Sequence, residues 1–138
     1  MDAPAAGAGS LTAVLDAWAI VALVQDEPAA GTVEETIESG RALVSWINLG
    51  EAYHVLIGRF GESAAATAVE GIARAVVTEE PDHALVLSAA RIKAAHRVSY
   101  ADAFAVATAE RHRAPLLTGD LEIVTIDRAL LELVDLRS

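Results

Sequence analysis

The chain of 138 residues contains no cysteine, a single lysine, Lys93, and only 4% aromatic residues. Without cysteine it forms neither a disulfide framework nor a thiolate metal site, which fits a reducing compartment such as the cytoplasm. No apolar run approaches the roughly 18 residues that cross a bilayer. Residues 1–10 lack the basic start of a signal peptide. We therefore expect a cytoplasmic protein without membrane contact, with a disordered tail at residues 1–10 and one domain over residues 11–138.

Positive charge is also scarce. Twenty Asp and Glu residues against ten Lys and Arg residues give a net charge of −10. Such a chain does not bind nucleic acid by bulk electrostatics, because that mode of binding needs a basic field. The excess of acids suits a protein whose carboxylates hold divalent cations, or one that works beside a basic partner. Composition leaves both interpretations open.

Short apolar runs alternate with helical patterns along the chain. Strands are predicted at residues 11–16, 42–46, 76–79, 115–119 and 131–136, with helices between them. Because the strands are apolar almost throughout, they predict a three-layer α/β/α fold with a central, mostly parallel sheet. Neither G-x-G-x-x-G nor a P-loop occurs, so nucleotide-binding folds of those kinds are not indicated.

Several residues predict where helices begin and end. Gly40 and Gly61 are expected to end two of them. Asn48 is expected to cap the helix at residues 49–60, and Pro81 to open the helix at residues 82–96.

Four acids, Asp16, Glu51, Asp102 and Asp120, fall near the carboxyl end of a predicted strand or in the first turns of a helix. In parallel sheets these ends share one edge, and ligands bind outside it, so we expect all four acids at one rim. Each acid also has a simpler explanation. Asp16 suits a helix N-cap, Asp102 a capping box with Ser99, Asp120 a turn, and Glu51 a solvated helix face.

Helix geometry weakens two of these simpler explanations. Asp102 heads an apolar stripe of Ala105, Val106 and Ala109, and Glu51 shares a helix face with Ile47 and Val55. Carboxylates on apolar faces rarely stay ionised unless a cation meets them. Oxygen ligands without cysteine favour Mg²⁺ or Mn²⁺, and such a site on an α/β rim typically serves phosphate chemistry.

Three segments, VLDAWAIVALV, VSWINLGEAYHVL and SYADAFAVATAERHRAPLLTGD, resemble in order and spacing the motifs of the PIN domain, and most nearly those of VapC-type toxins of type II toxin–antitoxin systems. In this resemblance Asp16, Glu51, Asp102 and Asp120 stand at the family's acidic quartet, and Thr118 matches a polar residue before the last acid.

The resemblance implies a Mg²⁺-dependent endoribonuclease, with Mn²⁺ as a substitute. Asp16, Asp102 and Asp120 would be the main metal ligands, and Glu51 would bind the metal or orient the attacking water. It also implies a homodimer, and a cognate antitoxin that binds DNA and has a basic tail. An antitoxin of that kind would explain the acidic charge of the chain.

Some residues near the quartet have two interpretations. Trp18 replaces a residue that is commonly small and polar in the family, and it either narrows the RNA entrance and stacks a base or packs as core. Glu122 is an accessory metal ligand or a solvated loop acid. Two basic clusters either meet the RNA backbone or complement helix dipoles: Arg91, Lys93, His96 and Arg97, and Arg111, His112 and Arg113.

Other functions fit the sequence less well. Glu51 with His54, and Glu80 with His83, give paired E-x-x-H motifs of the kind found in di-iron bundles, but Pro81 and the strand signals oppose an all-helical fold. Trp18 occupies the place of the second aspartate of haloacid-type phosphatases, and Lys93 does not follow a strand as in receiver domains. A catalytically silent PIN-like interaction module remains the alternative to the nuclease.

Overall fold

The structure is a computed structural model that describes residues 11–137. The tail predicted at residues 1–10 lies outside the described residues. The strands are β1 (Ala13–Leu15), β2 (Ala42–Ser45), β3 (Val77–Glu79), β4 (Leu116–Thr118) and β5 (Leu133–Asp135). The helices are α1 (Ala17–Val24), α2 (Ala30–Glu38), α3 (Trp46–Phe60), α4 (Glu62–Ala75), α5 (His83–Ala95), α6 (Tyr100–His112) and α7 (Leu121–Val124).

The five strands form one parallel sheet in the order β3-β2-β1-β4-β5. The predicted α/β class is thereby confirmed, and each predicted strand is present within a few residues of its expected bounds. The chain adds β2 and β3 on one side of β1, and β4 and β5 on the other. The order therefore reverses between β1 and β4, which is where ligands bind in open parallel sheets.

Helices cover both faces of the sheet, so the side chains of its central strands are buried on both sides. The pleat sends alternate side chains to opposite layers. Leu15 and Val44 join a core beneath α1 to α4, whereas Val14, Leu43 and Leu116 join a core beneath α5 and α6. None of the helices in residues 11–137 is both long and apolar enough to cross a bilayer.

Two predicted helix starts are wrong. Ser45, not Asn48, caps α3, because its hydroxyl accepts a hydrogen bond from the Ile47 amide at 3.2 Å. Asp82 caps α5 by accepting from the Leu85 amide at 2.9 Å, so Pro81 precedes the cap instead of opening the helix. In both places a side chain earlier in the chain, or closer to the helix, satisfies the free amides first.

The two glycine predictions are confirmed. Gly40 has a φ of +102° and Gly61 a φ of +86°, conformations that residues with a Cβ adopt only with strain. Gly40 follows Ser39, the C-cap of α2, and Gly61 separates α3 from α4.

Candidate functional site

Asp16 lies directly after β1 and is 2% exposed. One carboxylate oxygen caps α1 by accepting a hydrogen bond from the Ala19 amide at 2.9 Å. The other oxygen accepts a hydrogen bond from the hydroxyl of Thr118, at the end of β4. The simple prediction of an N-cap is therefore confirmed, and the same carboxylate also points to the neighbouring strand.

Thr118 connects the first and last acids of the predicted quartet. Its hydroxyl oxygen donates to Asp16 and accepts a hydrogen bond from the backbone amide of Asp120 at 2.9 Å. Asp120 in turn caps α7, since its Oδ1 accepts from the Glu122 amide at 2.9 Å. The ends of β1 and β4 are thus joined at the point where the strand order reverses.

Asp102 lies in the first turn of α6 and is buried. The Ser99 hydroxyl accepts from the Asp102 amide at 3.1 Å and so caps α6. Hydrogen bonding from Ser99 also lowers the pKa of the Asp102 carboxyl in part, in agreement with the predicted capping box. The apolar stripe that Asp102 heads is buried as expected.

Glu51 projects from the second turn of α3 and is half-buried. One turn earlier on the same helix, the buried Asn48 donates from Nδ2 to the carbonyl of Ala101 at 3.0 Å. Ala101 directly precedes Asp102, so this hydrogen bond fixes the helix that carries Glu51 against the helix that carries Asp102. The sequence predicted Asn48 as a helix cap and did not predict that it joins the two helices.

A cleft of about 230 Å³ brings these segments together. Its lining includes three of the four predicted acids, Glu51, Asp102 and Asp120, and also Glu27. Asp16 is not part of the lining but lies close enough for Asp102 and Asp120 to act on its ionisation. The structure therefore gathers three predicted acids around one space, with the fourth beside them.

One carboxylate oxygen from each of Asp102, Asp120 and Glu122 lies within 4.8 Å of the other two, and this is the group in residues 11–137 that could hold a metal ion. Carboxylate oxygens at this spacing suit a hard divalent cation. Glu122 is exposed, yet it lies close to Asp102 and Asp120, a position that fits the accessory ligand predicted from the sequence. Asp16 and Glu51 are not members of this group.

Burial and repulsion between carboxylates raise the pKa values of Asp16, Glu51 and Asp102. Burial, opposed by hydrogen bonds from Thr118 and Ala19, raises the pKa of Asp16 to about 7, and the charges of Asp102 and Asp120 add to it. Burial also raises the pKa of Asp102 to about 7, followed by repulsion from Asp120 and Glu51. The pKa of Glu51 is raised by burial first and by Asp120 second. A cation in the cleft would remove this penalty on the charged forms.

Trp18 forms one wall of the cleft and is half-buried. Its indole packs so tightly on Gly119 that a Cβ at residue 119 would overlap three ring atoms. Both interpretations of Trp18 are consistent with this position, since the ring packs on the backbone and also faces the cleft. Gly119 has to lack a side chain because the indole fills that space.

The basic clusters singled out in the sequence do not line the cleft. Arg111 pairs with Asp82 at 2.7 Å, and His112 with Glu79 at 2.6 Å. Lys93 donates to the carbonyl of Val98 at 3.1 Å. Arg111 and His112 stand in the last turn of α6 and Lys93 in that of α5, in agreement with the helix-dipole explanation.

The basic side chain that does line the cleft is Arg59, which the sequence analysis overlooked. A signal was present, because Glu51, Val55 and Arg59 recur every four residues on one face of α3, and all three line the cleft. The paired E-x-x-H motifs, in contrast, form no site: His54, Glu80 and His83 are exposed, and the sheet excludes a helical bundle.

Comparison with known proteins is consistent with this arrangement. The sequence model of the PIN domain matches residues 13–129. The chain belongs to the PIN domain family. No curated protein sequence matches this PIN domain well enough to serve as a close relative.

Solved structures resemble this PIN domain over most of its length. VapC20 from Mycobacterium tuberculosis, described as a toxin that cleaves the sarcin–ricin loop, has a TM-score of 0.67 and 20% identity, covering 84% of this chain and 97% of its own. DNA-bound VapBC from Salmonella typhimurium has a TM-score of 0.73 and 17% identity, covering 92% and 99%. VapBC-1 from nontypeable Haemophilus influenzae has a TM-score of 0.64 and 18% identity, covering 91% and 98%. At these identities the likeness is one of fold.

Proposed function

We propose that this PIN domain is a metal-dependent endoribonuclease toxin that cleaves RNA phosphodiester bonds. The observation that carries the proposal is the group of Asp102, Asp120 and Glu122, with oxygens within 4.8 Å of one another, beside a cleft at the reversal of strand order. The ion pairs of residues 11–137 use other carboxylates, those of Glu79, Asp82, Glu110 and Asp135. The cleft acids are thus left available to a divalent cation.

The donor set fits Mg²⁺, with Mn²⁺ as a substitute. It consists of carboxylate oxygens, and burial and repulsion make the unliganded charged state unfavourable. Asp102 and Asp120, with Asp16 beside them and Glu122 as an accessory ligand, would hold the ion. When bound, the ion would supply an acidified water and neutralise the negative charge that develops on the phosphate.

The protein's own residues would then position the reactants. Glu51 faces the cleft, and its pKa is raised by burial and by Asp120, so it is suited to take the proton of the attacking water. Thr118 fixes Asp16 against Asp120 by its two hydrogen bonds. Asn48 holds the helix of Glu51 against that of Asp102. The catalytic carboxylates would thus come from four segments, which two buried side chains, Thr118 and Asn48, hold together by hydrogen bonds.

The partners we propose follow from the charge of the chain and from the fold. The VapBC structures that resemble this chain are toxin–antitoxin proteins. A chain with a net charge of −10 suits a cognate antitoxin with a basic tail, which would also bind DNA. A homodimer acting on cytoplasmic RNA completes the proposal. The second candidate, a catalytically silent PIN-like interaction module, would keep the same cluster of acids without cutting RNA.

Cleavage of total bacterial RNA tests the proposal. We expect the wild type to cut RNA with Mg²⁺ and not with EDTA, and Asp102→Asn to lower the rate by about a hundredfold or more, since it removes a ligand charge. Asp127→Asn, which removes an exposed carboxylate outside the cleft, is the matched control and should retain activity. Wild-type protein that binds Mn²⁺ but never cuts RNA would favour the silent module.

A further inference from the structure

Arg59 is the basic side chain in the lining of a cleft whose other charged residues are acidic. It is exposed and stands in the last turn of α3, eight residues after Glu51 on the same face. At 1.5 Å per residue the two Cα atoms are separated by about 12 Å along the helix axis. Arg59 therefore stands at the other end of the cleft wall from Glu51, on the side where Gln25 connects it to Glu27.

The guanidinium of Arg59 is oriented by a neutral side chain and makes no direct ion pair among residues 11–137. Its Nη1 donates to the side-chain oxygen of Gln25, and the Gln25 amide donates to Glu27 Oε2 at 2.6 Å. Gln25 is a neutral partner, and no ion pair of Arg59 occurs among residues 11–137. The remaining N–H groups of the guanidinium form a planar fork, which matches the geometry of a phosphate.

We infer that Arg59 binds a backbone phosphate of the RNA strand, adjacent to the phosphate held at the acids. This inference rests on the nuclease function proposed above. A protein of net charge −10 repels RNA. An oriented guanidinium at the end of the cleft would attract the RNA backbone and fix the position of the strand relative to the acids. A phosphate contact of this kind positions a strand without reading its sequence. Arg59 is thus a substrate-binding residue, and Gln25 is the residue that positions it.

The salt dependence of RNA binding tests this role. Binding of a short single-stranded RNA of random sequence is measured by fluorescence anisotropy in Ca²⁺, which replaces Mg²⁺ to prevent turnover. Loss of one phosphate contact should lower the slope of log K against log salt by about 0.7. We expect Arg59→Gln to show this change and to weaken binding about fivefold at low salt, whereas Arg59→Lys should retain the slope.

Arg74→Gln provides a matched control. Arg74 is an exposed arginine in the last turn of α4 and lies outside the cleft lining, so its removal should leave the slope unchanged. Gln25→Ala tests whether Arg59 acts by binding phosphate or by linking α3 to the segment after α1. It removes the hydrogen bond but keeps the cation, and should therefore retain the slope while weakening affinity.

An unchanged slope in Arg59→Gln, with wild-type RNA binding and Mg²⁺-dependent cleavage intact, would overturn the inference and leave the nuclease proposal standing. Equal losses of thermal stability in Arg59→Gln and Gln25→Ala with no change in slope would assign Arg59 to a structural link instead. If the wild type neither binds nor cuts RNA, the nuclease proposal fails, and this inference fails with it.

Discussion

Replacing Asp102 by asparagine should make the metal-free protein more stable at alkaline pH. The Asp102 carboxyl is 5% exposed, and burial together with repulsion from Asp120 and Glu51 raises its pKa from 3.8 to about 7. The folded state therefore keeps the proton over a pH range in which the unfolded chain loses it. Between pH 4 and 7 the contribution of Asp102 to the free energy of unfolding falls as the pH rises.

The magnitude follows from the difference between the pKa of Asp102 in the folded protein, about 7, and its ordinary value of 3.8. Each unit corresponds to about 1.4 kcal/mol, so ionisation of Asp102 destabilises the folded protein by up to about 4 kcal/mol at pH 8. Asparagine has a similar shape and no charge, so it does not carry this penalty. The advantage of Asp102→Asn over the wild type should be greatest near pH 8 and should vanish below about pH 4.

Urea denaturation of both proteins in EDTA, at a series of pH values, measures the difference. Taking the difference cancels the titration of acids remote from Asp102. The titration of Asp16 does not cancel, because the charge of Asp102 raises the pKa of Asp16, and its relief adds to the advantage of the variant. Asp127→Asn serves as a control for the loss of one negative charge outside the cleft. Mg²⁺ at pH 8 should then stabilise the wild type more than Asp102→Asn, because the ion binds the folded carboxylates and favours the native state by mass action.

Two results would refute this reasoning. The first is a difference between wild type and Asp102→Asn that stays constant from pH 4 to pH 8, since the carboxyl would then titrate alike in both states. The second is a wild type that gains stability relative to the variant as the pH rises, which would mean that Asp102 is paired with a cationic group in the protein itself.

Two further substitutions test the packing around the cleft by urea denaturation. Gly119→Ala should lower the free energy of unfolding by about 1–3 kcal/mol, because the added Cβ overlaps Trp18. Gly50→Ala, at an open helix position, is the control and should raise the free energy of unfolding slightly. Equal effects of the two substitutions would contradict the tight contact between the indole and Gly119. Asn48→Ala should lower stability by about 1–3 kcal/mol by removing the buried hydrogen bond to Ala101, and an unchanged free energy of unfolding would show that the bond does not hold the helices together.

The sequence predicted helix boundaries well where the signal was a backbone requirement. Gly40 and Gly61 follow the ends of helices because glycine adopts a positive φ at little cost, whereas a residue with a Cβ would be strained there. Boundaries that depend on competition between neighbouring polar residues were less predictable. Ser45 and Asn48 are both residue types that cap helices well. Because Ser45 caps α3, the Asn48 side chain makes the buried hydrogen bond to Ala101, which lies 53 residues away.

The roles of individual charged residues show the same limit. The arginines at the end of α6 are conspicuous in the sequence as a basic cluster, yet Arg111 is paired with Asp82, a residue 29 positions earlier. Arg59 stands alone in the sequence and reaches the cleft because α3 packs beside α1 and α6. Charge clustering along a chain does not reveal which charges the fold pairs and which it leaves open.

Local order along the chain determined the alternation of strands and helices, the α/β class and the placement of Asp16, Asp102 and Asp120 at strand ends or helix starts, because apolar periodicity and capping act between near neighbours. The tertiary structure alone decided the strand order and the contacts at its reversal. The hydrogen bond between Thr118 and Asp16 spans 102 residues, and Glu122 lies near Asp102 because β4 pairs with β1. Such contacts depend on how separate segments pack, which no local pattern encodes.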